Sequence, residues 1–378
     1  MCNLLCEKLL THFAKTFLER FLFVRIIRVE INLRRMRSLA PTDALESASY
    51  TMKGDAEMPN ELRVKFWGAR GSYPTPGAGT IKYGGNTASV EIRAGERTII
   101  LDAGTGIIPL GRELARTKRA GELLLLFSHL HHDHTQGFPF FVPAYIPNAK
   151  LHIYGPDGTH ESLKNVLERN QSSETFPVGL RDMASSKDIQ AVRESQIIVW
   201  DAEGVRAAES GVPVGEEAVV IRIHKSYAHP GGVYVYRITW RGKSIVYATD
   251  TEGYVGTDRK LVQFARDADL LIHDAQYLEE HYRGQLVGFP STQGFGHSTV
   301  TMACEVAAAA EVERLVLFHH DPSYDDAMIA GMERTAKSLF DDSVAAYEGL
   351  EIVLQDENRK AMLLGASRGR AVQYAENG

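Results

Sequence analysis

Leu123-Leu124-Leu125-Leu126-Phe127-Ser128-His129-Leu130-His131-His132-Asp133-His134-Thr135-Gln136-Gly137 is the stretch on which the reading of this chain turns. The apolar run from Leu123 to Phe127 has the pattern of a strand buried on both faces. Immediately beyond it four of the chain's 14 histidines fall within six positions, with Asp133 among them. Imidazoles at the carboxyl end of a buried strand converge on one crevice. Neutral imidazole suits Zn, Fe or Mn, and a carboxylate oxygen completes a mixed N/O set. A metal site is the natural expectation.

The rest of the chain provides a body for such a site. Its 378 residues are 44% hydrophobic and 24% charged, the usage of a globular enzyme and not of a fibrous, disordered or membrane chain. Three cysteines, Cys2, Cys6 and Cys304, form no CxxC pair, which argues against a disulfide framework and a zinc knuckle and fits a cytoplasmic protein. Net charge is −6, so any contact with a polyanion must be local. Residues 1–40 alone carry +5, which leaves −11 for the remainder. That basic amphipathic segment is too interrupted by Arg25, Arg28 and Glu30 to span a bilayer, so no transmembrane segment is expected. Residues 1–60 are read as an N-terminal extension and linker, and 61–378 as one hydrolase domain with a lid insertion at 157–213.

Apolar runs predict strands at 62–67, 88–93, 97–102, 122–128, 150–154, 218–224, 233–240, 243–249, 268–273, 314–318 and 350–354. Amphipathic stretches predict helices at 108–117, 159–169, 259–266, 299–310 and 324–339. Two β-rich halves with helices outside them make an α/β fold in four layers.

On His129, His131, Asp133 and His134 the sequence resembles the metallo-β-lactamase superfamily, whose HxHxDH signature they match. Further motifs follow in order over residues 62–364: Leu101-Asp102-Ala103-Gly104, Ser226-Tyr227-Ala228-His229, Tyr247-Ala248-Thr249-Asp250 and Leu317-Phe318-His319-His320. The resemblance implies an αββα four-layer sandwich and two divalent metal ions. His129, His131 and His229 would hold one ion, Asp133, His134 and His319 the other, with Asp250 shared. Asp102 would orient the metal-binding loop, and His320 would stand behind His319 as a supporting residue. His and Asp ligands alone do not separate Zn from Mn or Fe, and zinc is taken first.

Two adjacent cations activate water, so the expected reaction is hydrolysis. Position 250 is Asp and not Cys, and position 131 is His and not Glu, which lowers the rank of antibiotic hydrolysis and of electron transfer. Gly296-His297-Ser298-Thr299 is similar to the end of ribonuclease Z and related phosphodiesterases. That similarity implies that His297 acts on the scissile phosphate or leaving oxygen, with Asp133 and Asp250 orienting the attacking water. Gly68-Ala69-Arg70-Gly71-Ser72 and Gly84-Gly85-Asn86-Thr87 look like loops of bacterial cyclic-nucleotide phosphodiesterases, so Arg70, Asn86 and Ser298 are expected on the substrate. The span 157–213 has mixed charge and no basic arm, and Phe176, Pro177 and Met183 are available to cover a base. The expectation is therefore a phosphodiesterase for a cyclic nucleotide or similar small phosphodiester. A ribonuclease Z-like RNA endonuclease is the alternative, so a nucleic-acid substrate ranks second. Behind these stand a lactone or thioester hydrolase and a non-catalytic metal-site sensor. A homodimer is a further expectation from the resemblance.

Overall fold

A computed structural model describes residues 61–158, 160–253 and 257–355. The chain divides into Met1–Ala56 and Glu57–Gly378. The first unit, with the basic segment and most of the linker, lies outside the described residues, and the second is described below.

Among the described residues, fifteen strands form two mixed sheets. The first contains β1 (Leu62–Gly68), β2 (Ser89–Ala94), β3 (Arg97–Leu101), β4 (Glu122–Leu126), β5 (Lys150–Gly155), β6 (Ser186–Ala191) and, at its other edge, β15 (Glu351–Leu354). The second contains β7 (Gln196–Asp201), β8 (Gly204–Glu209), β9 (Val219–Ser226), β10 (Val233–Trp240), β11 (Lys243–Ala248), β12 (Leu270–Asp274), β13 (Leu315–Phe318) and β14 (Ser343–Ala345). Its spatial order is β14-β13-β12-β11-β10-β9-β7-β8. Helices α1 (Ile107–Arg116), α2 (His132–Thr135), α3 (Leu163–Asn170), α4 (Arg259–Ala265), α5 (Glu279–Tyr282), α6 (Val300–Ala309) and α7 (Asp326–Leu339) complete the fold.

The strand sequences show why the layers stack. In β4, Leu124 and Leu126 enter the core shared by the two sheets, whereas Leu123 and Leu125 enter the cluster formed with α1 and α3. In β13, Val316 and Phe318 face the inter-sheet core, and Leu315 and Leu317 meet α6 and α7. A strand covered on both faces has no polar side to spare, hence the unbroken apolar runs. Full burial of each such side chain contributes about 1.5–3 kcal/mol. Helix α1 buries Ile107, Leu110, Gly111 and Leu114, a single face at helical spacing. The result is the αββα sandwich.

Four strands, β6, β7, β8 and β14, were not expected, and the first three use much of the span assigned to a lid. β6 and β8 lie at sheet edges and are largely half-exposed, so they lack a two-sided apolar pattern. Met183 is buried in the cluster under α1 and α3, and Phe176 packs edge-on to Phe140 with ring centroids 5.2 Å apart. Met183 therefore cannot cover a base, because the helix–sheet core occupies it. Among the described residues no helix is long and apolar enough to cross a membrane.

Strands β3, β4 and β5 are parallel neighbours, as are β11, β12 and β13. Parallel pairing puts the carboxyl ends of each set at one edge of its sheet, where loops can converge. Asp102 follows β3, the histidine cluster follows β4, Asp250 follows β11, Asp274 ends β12 and His319 follows β13. His229 comes from the turn between β9 and β10.

Candidate metal centre

Both sheets contribute donors to one cluster, buried except at His131, which is exposed. Ligand-capable atoms of His129, His131 and His229 lie within 4.8 Å of one another, as do those of Asp133, His134 and His319. Asp250 stands between the two sets. Its Oδ1 is 3.3 Å from His134 Nε2 and 3.4 Å from His319 Nε2, while its Oδ2 is 3.6 Å from His129 Nε2 and 3.9 Å from His229 Nε2. One carboxylate thus presents one oxygen to each set. Asp133 Oδ2 lies 3.2 Å from His319 Nε2 and accepts the Ser72 backbone N–H at 2.7 Å.

The other nitrogen of most of these imidazoles is engaged, which fixes which one faces the cluster. His134 Nδ1 donates to Asp102 Oδ2 at 2.8 Å, His229 Nδ1 to the Gly296 carbonyl at 3.2 Å, and His319 Nδ1 to Gln276 Oε1 at 3.0 Å. His129 Nδ1 meets Ser128 Oγ at 3.1 Å, and that hydroxyl donates to Asp102 at 2.8 Å. Asp102 also accepts from Ser128 N and Tyr247 Oη, both at 2.7 Å. It therefore steadies one histidine of each set and ties β3 to β11. Such outer partners set the tautomer and ring orientation of a metal ligand. Asp102→Asn keeps the shape but removes the charge, and is expected to weaken metal affinity 10–100-fold, roughly, in competition against a chelator.

The cluster suits divalent cations. His129 Nε2 is buried and has no hydrogen-bond partner. Burial lowers the pKa of His129 and His131 and takes His229 down to about 4, so these rings are neutral donors near pH 7. Burial opposes ionisation of Asp133 and Asp250, yet the imidazoles beside them hold both well below the usual carboxylate range. Against the same burial cost, Asp250, Asp133 and Asp102 raise His134 well above its ordinary value. Three carboxylates thus call for positive charge at this point, which a proton supplies only until a cation displaces it.

The backbone is shaped for the site. Asp102, Asp250 and His319, each just past a strand, have φ of 59°, 52° and 64°, and Ser72 has 61°. Left-handed conformations are uncommon for such residues and cluster at functional sites. Gly71 fits under His319: a Cβ there would stand 2.4 Å from the ring's Cε1 and Nδ1. Gly71→Ala is therefore expected to displace that imidazole and cut the metal content of the purified protein while a cooperative unfolding transition persists; elemental analysis and thermal melting check it.

A second buried pair adjoins the cluster. His297 Nδ1 donates to Asp274 Oδ2 at 2.7 Å, and the His297 ring stacks on His319 at 4.9 Å. Burial works against protonation of His297, but Asp274, with Asp250 and Asp133, raises it to about 9. Asp274 and Gln276 were not anticipated. Their signal was Leu270-Leu271-Ile272-His273-Asp274, an apolar strand closed by an acid like the one before Asp250.

Three expected residues, Arg70, Ser298 and His320, are held elsewhere, and Asn86 is anchored through its backbone. Arg70 is turned inward, and its guanidinium donates to the carbonyls of Gly84, Asp321 and Tyr324, so it cannot reach a phosphate. Asn86 acts through its backbone, accepting from the N–H groups of Ala69 and Arg70 and donating to Glu348, which makes it a loop clamp. The buried Ser298 hydroxyl donates to the Thr251 carbonyl at 2.5 Å, and Thr299 caps α6. His320 does not support His319: its Nε2 donates to the Ala346 carbonyl, and the ring lies 6.1 Å from Tyr83, away from the cluster.

The sequence profile of the beta-lactamase superfamily domain matches residues 97–320. Ribonuclease Z of Picrophilus torridus is 26% identical over 325 residues, covering 78% of this chain and 96% of that protein. Two solved structures share the fold over 78% of this chain and the whole of their own length. These are the metallo-beta-lactamase fold protein YhfI of Bacillus subtilis, at TM-score 0.56 and 19% identity, and the short form of human tRNase Z, at 0.53 and 21%.

Proposed function

This chain belongs to the beta-lactamase superfamily, and from that premise we propose that it is a dinuclear-metal phosphodiesterase of the ribonuclease Z kind. The observation that carries the reading is the Asp274–His297 pair, a buried acid–base couple standing against the two donor sets. A hydrolase for phosphodiesters needs a proton for the departing alkoxide, and this pair is placed to deliver one.

His129, His131 and His229 would hold one cation and Asp133, His134 and His319 the other, with one oxygen of Asp250 toward each. When bound, two divalent ions, zinc first for an imidazole-rich set, supply the Lewis acidity that lowers the pKa of water and polarises phosphoryl oxygens. Asp133, held by the Ser72 N–H, and Asp250 orient the attacking water. Water oxygen adds to phosphorus as the bond to the leaving oxygen breaks, and the proton it loses passes to the Asp133 carboxylate. His297 gives its Nε2 proton to that oxygen, while Asp274 keeps hold of Nδ1–H and steadies the imidazolium. Gln276 fixes the neighbouring His319 ring.

The relative's name, ribonuclease Z, favours RNA over the cyclic nucleotide expected from sequence. A small diester is the second reading, on one observation: residues 157–213 fold into α3 and β6–β8, and no protruding basic arm occurs among the described residues. Bis(p-nitrophenyl) phosphate, 3′,5′-cyclic AMP and precursor tRNA, assayed side by side, test both. Cleavage of the first and third, lost with chelator and restored by Zn, is the expected result. Metal content without turnover of any diester would overturn the reading.

A further inference from the structure

A cleft of about 280 Å³ opens beside His129 and His131. One wall is formed by Pro156 to Gly158 with His160, Glu161, Val166 and Arg169, and the other is the end of β9 with the turn into β10. Leu130, Val166 and Tyr234 give it an apolar lining. Gly231 and Gly232, at φ of 86° and 82°, open the second wall between Pro230 and Tyr234, and nothing lies within 4 Å of where a Gly231 Cβ would stand. The volume is just under the roughly 300 Å³ at which drug-sized pockets begin, room for one nucleoside and not for a duplex.

The charges in the cleft are unequal in availability. Asp157 accepts the Leu163 N–H at the start of α3, and Glu161 pairs with Arg169 at 3.0 Å. Lys225 pairs with no carboxylate among the described residues; its ammonium lies 5.1 Å from the ring centroid of Tyr227. Tyr227 stands at the rim, where its Cδ1 is 3.6 Å from the Cβ position of Gly232, and it is 76% exposed. An exposed ring is costly to leave in water and serves as a platform for bases, which stack on aromatic faces whatever their sequence. A lysine beside that ring adds attraction for phosphate.

We infer that this cleft is the subsite for the nucleoside joined to the scissile phosphate, with Tyr227 stacking on its base and Lys225 neutralising its phosphate. The inference rests on the phosphodiester reading and gives it a substrate class, a nucleotide. Two measurements on the zinc-loaded full chain test it. In calorimetric titration the parent protein binds adenosine 5′-monophosphate at least about tenfold more tightly than inorganic phosphate. Tyr227→Ala removes most of that preference and Tyr227→Phe keeps it, whereas Lys225→Ala weakens binding of both anions. In turnover, kcat/KM for a nucleotide diester relative to bis(p-nitrophenyl) phosphate falls about tenfold in Tyr227→Ala, through KM, while Lys225→Ala raises KM for both substrates. An RNA trinucleotide and 3′,5′-cyclic AMP are the two diesters, and the one that shows the fall identifies the source of the nucleotide. An unchanged ratio, or a parent protein that binds the two anions equally, overturns the subsite. Cleavage of no diester, with the nucleotide preference intact and lost in Tyr227→Ala, overturns the phosphodiester reading and leaves the subsite standing.

Discussion

Asp250→Asn is expected to remove metal from both donor sets and to lower turnover of bis(p-nitrophenyl) phosphate by more than about 100-fold. Loss of an outer partner of a metal ligand costs roughly 10–100-fold, and Asp250 lies closer to the centre than any such partner. Its Oδ1 faces His134 and His319, and its Oδ2 faces His129 and His229, so neutralising one side chain reaches both sets. An amide also turns N–H hydrogens toward one of them, where a cation would be repelled. Asn tolerates the left-handed backbone that Asp250 adopts, so the fold should survive and the loss belong to the site. Elemental analysis of protein purified without an affinity tag, with a melting curve beside it, gives the result. A full complement of metal in the variant would refute the shared-carboxylate assignment.

His297→Ala should leave a protein that holds its metals but has lost the proton donor. The expected fall in kcat is about 10²–10⁴-fold for diesters with an alkyl leaving group, the usual contribution of a positioned acid. For p-nitrophenolate, which departs without help, the fall should be much smaller, and this contrast is the signature of protonation as opposed to simple disruption. Asp274→Asn, which keeps the hydrogen bond to Nδ1 but not the charge, should fall between parent and alanine variant with the same dependence on leaving group. His297 also lies near His229 and Asp250, so a drop in metal content in His297→Ala would make it a ligand and remove it from the acid role.

The residues that could be read from sequence were those whose chemistry is concentrated. Four histidines crowded behind a run of leucines announce themselves, and Asp102, His229, Asp250 and His319 each follow an apolar strand. Arg70 and Ser298 misled because a charge or hydroxyl near a motif suggests a substrate contact, whereas both are spent on backbone carbonyls that only the folded chain brings near. His320 shows how one residue's register decides fate: His319 takes a left-handed turn into the cluster, and the next side chain is sent the opposite way. Asp274 and Gln276 were overlooked because their use depends on β12 lying beside β13, a pairing with no local signature. The edge strands β6 and β8 escaped for a different reason: largely half-exposed, they show neither an apolar run nor regular alternation.

The division of donors between the two sheets bears on how the protein is made. Translation releases His134 with β4 already complete, yet His319 emerges only 185 residues later. Until β13 is synthesised and docked, the second donor set lacks His319, whereas the first needs only His229 and Asp250, which emerge with β9 to β11. Completion of the second set is thereby deferred to the last stage of assembly, where a cation would act as a clasp closing one sheet on the other.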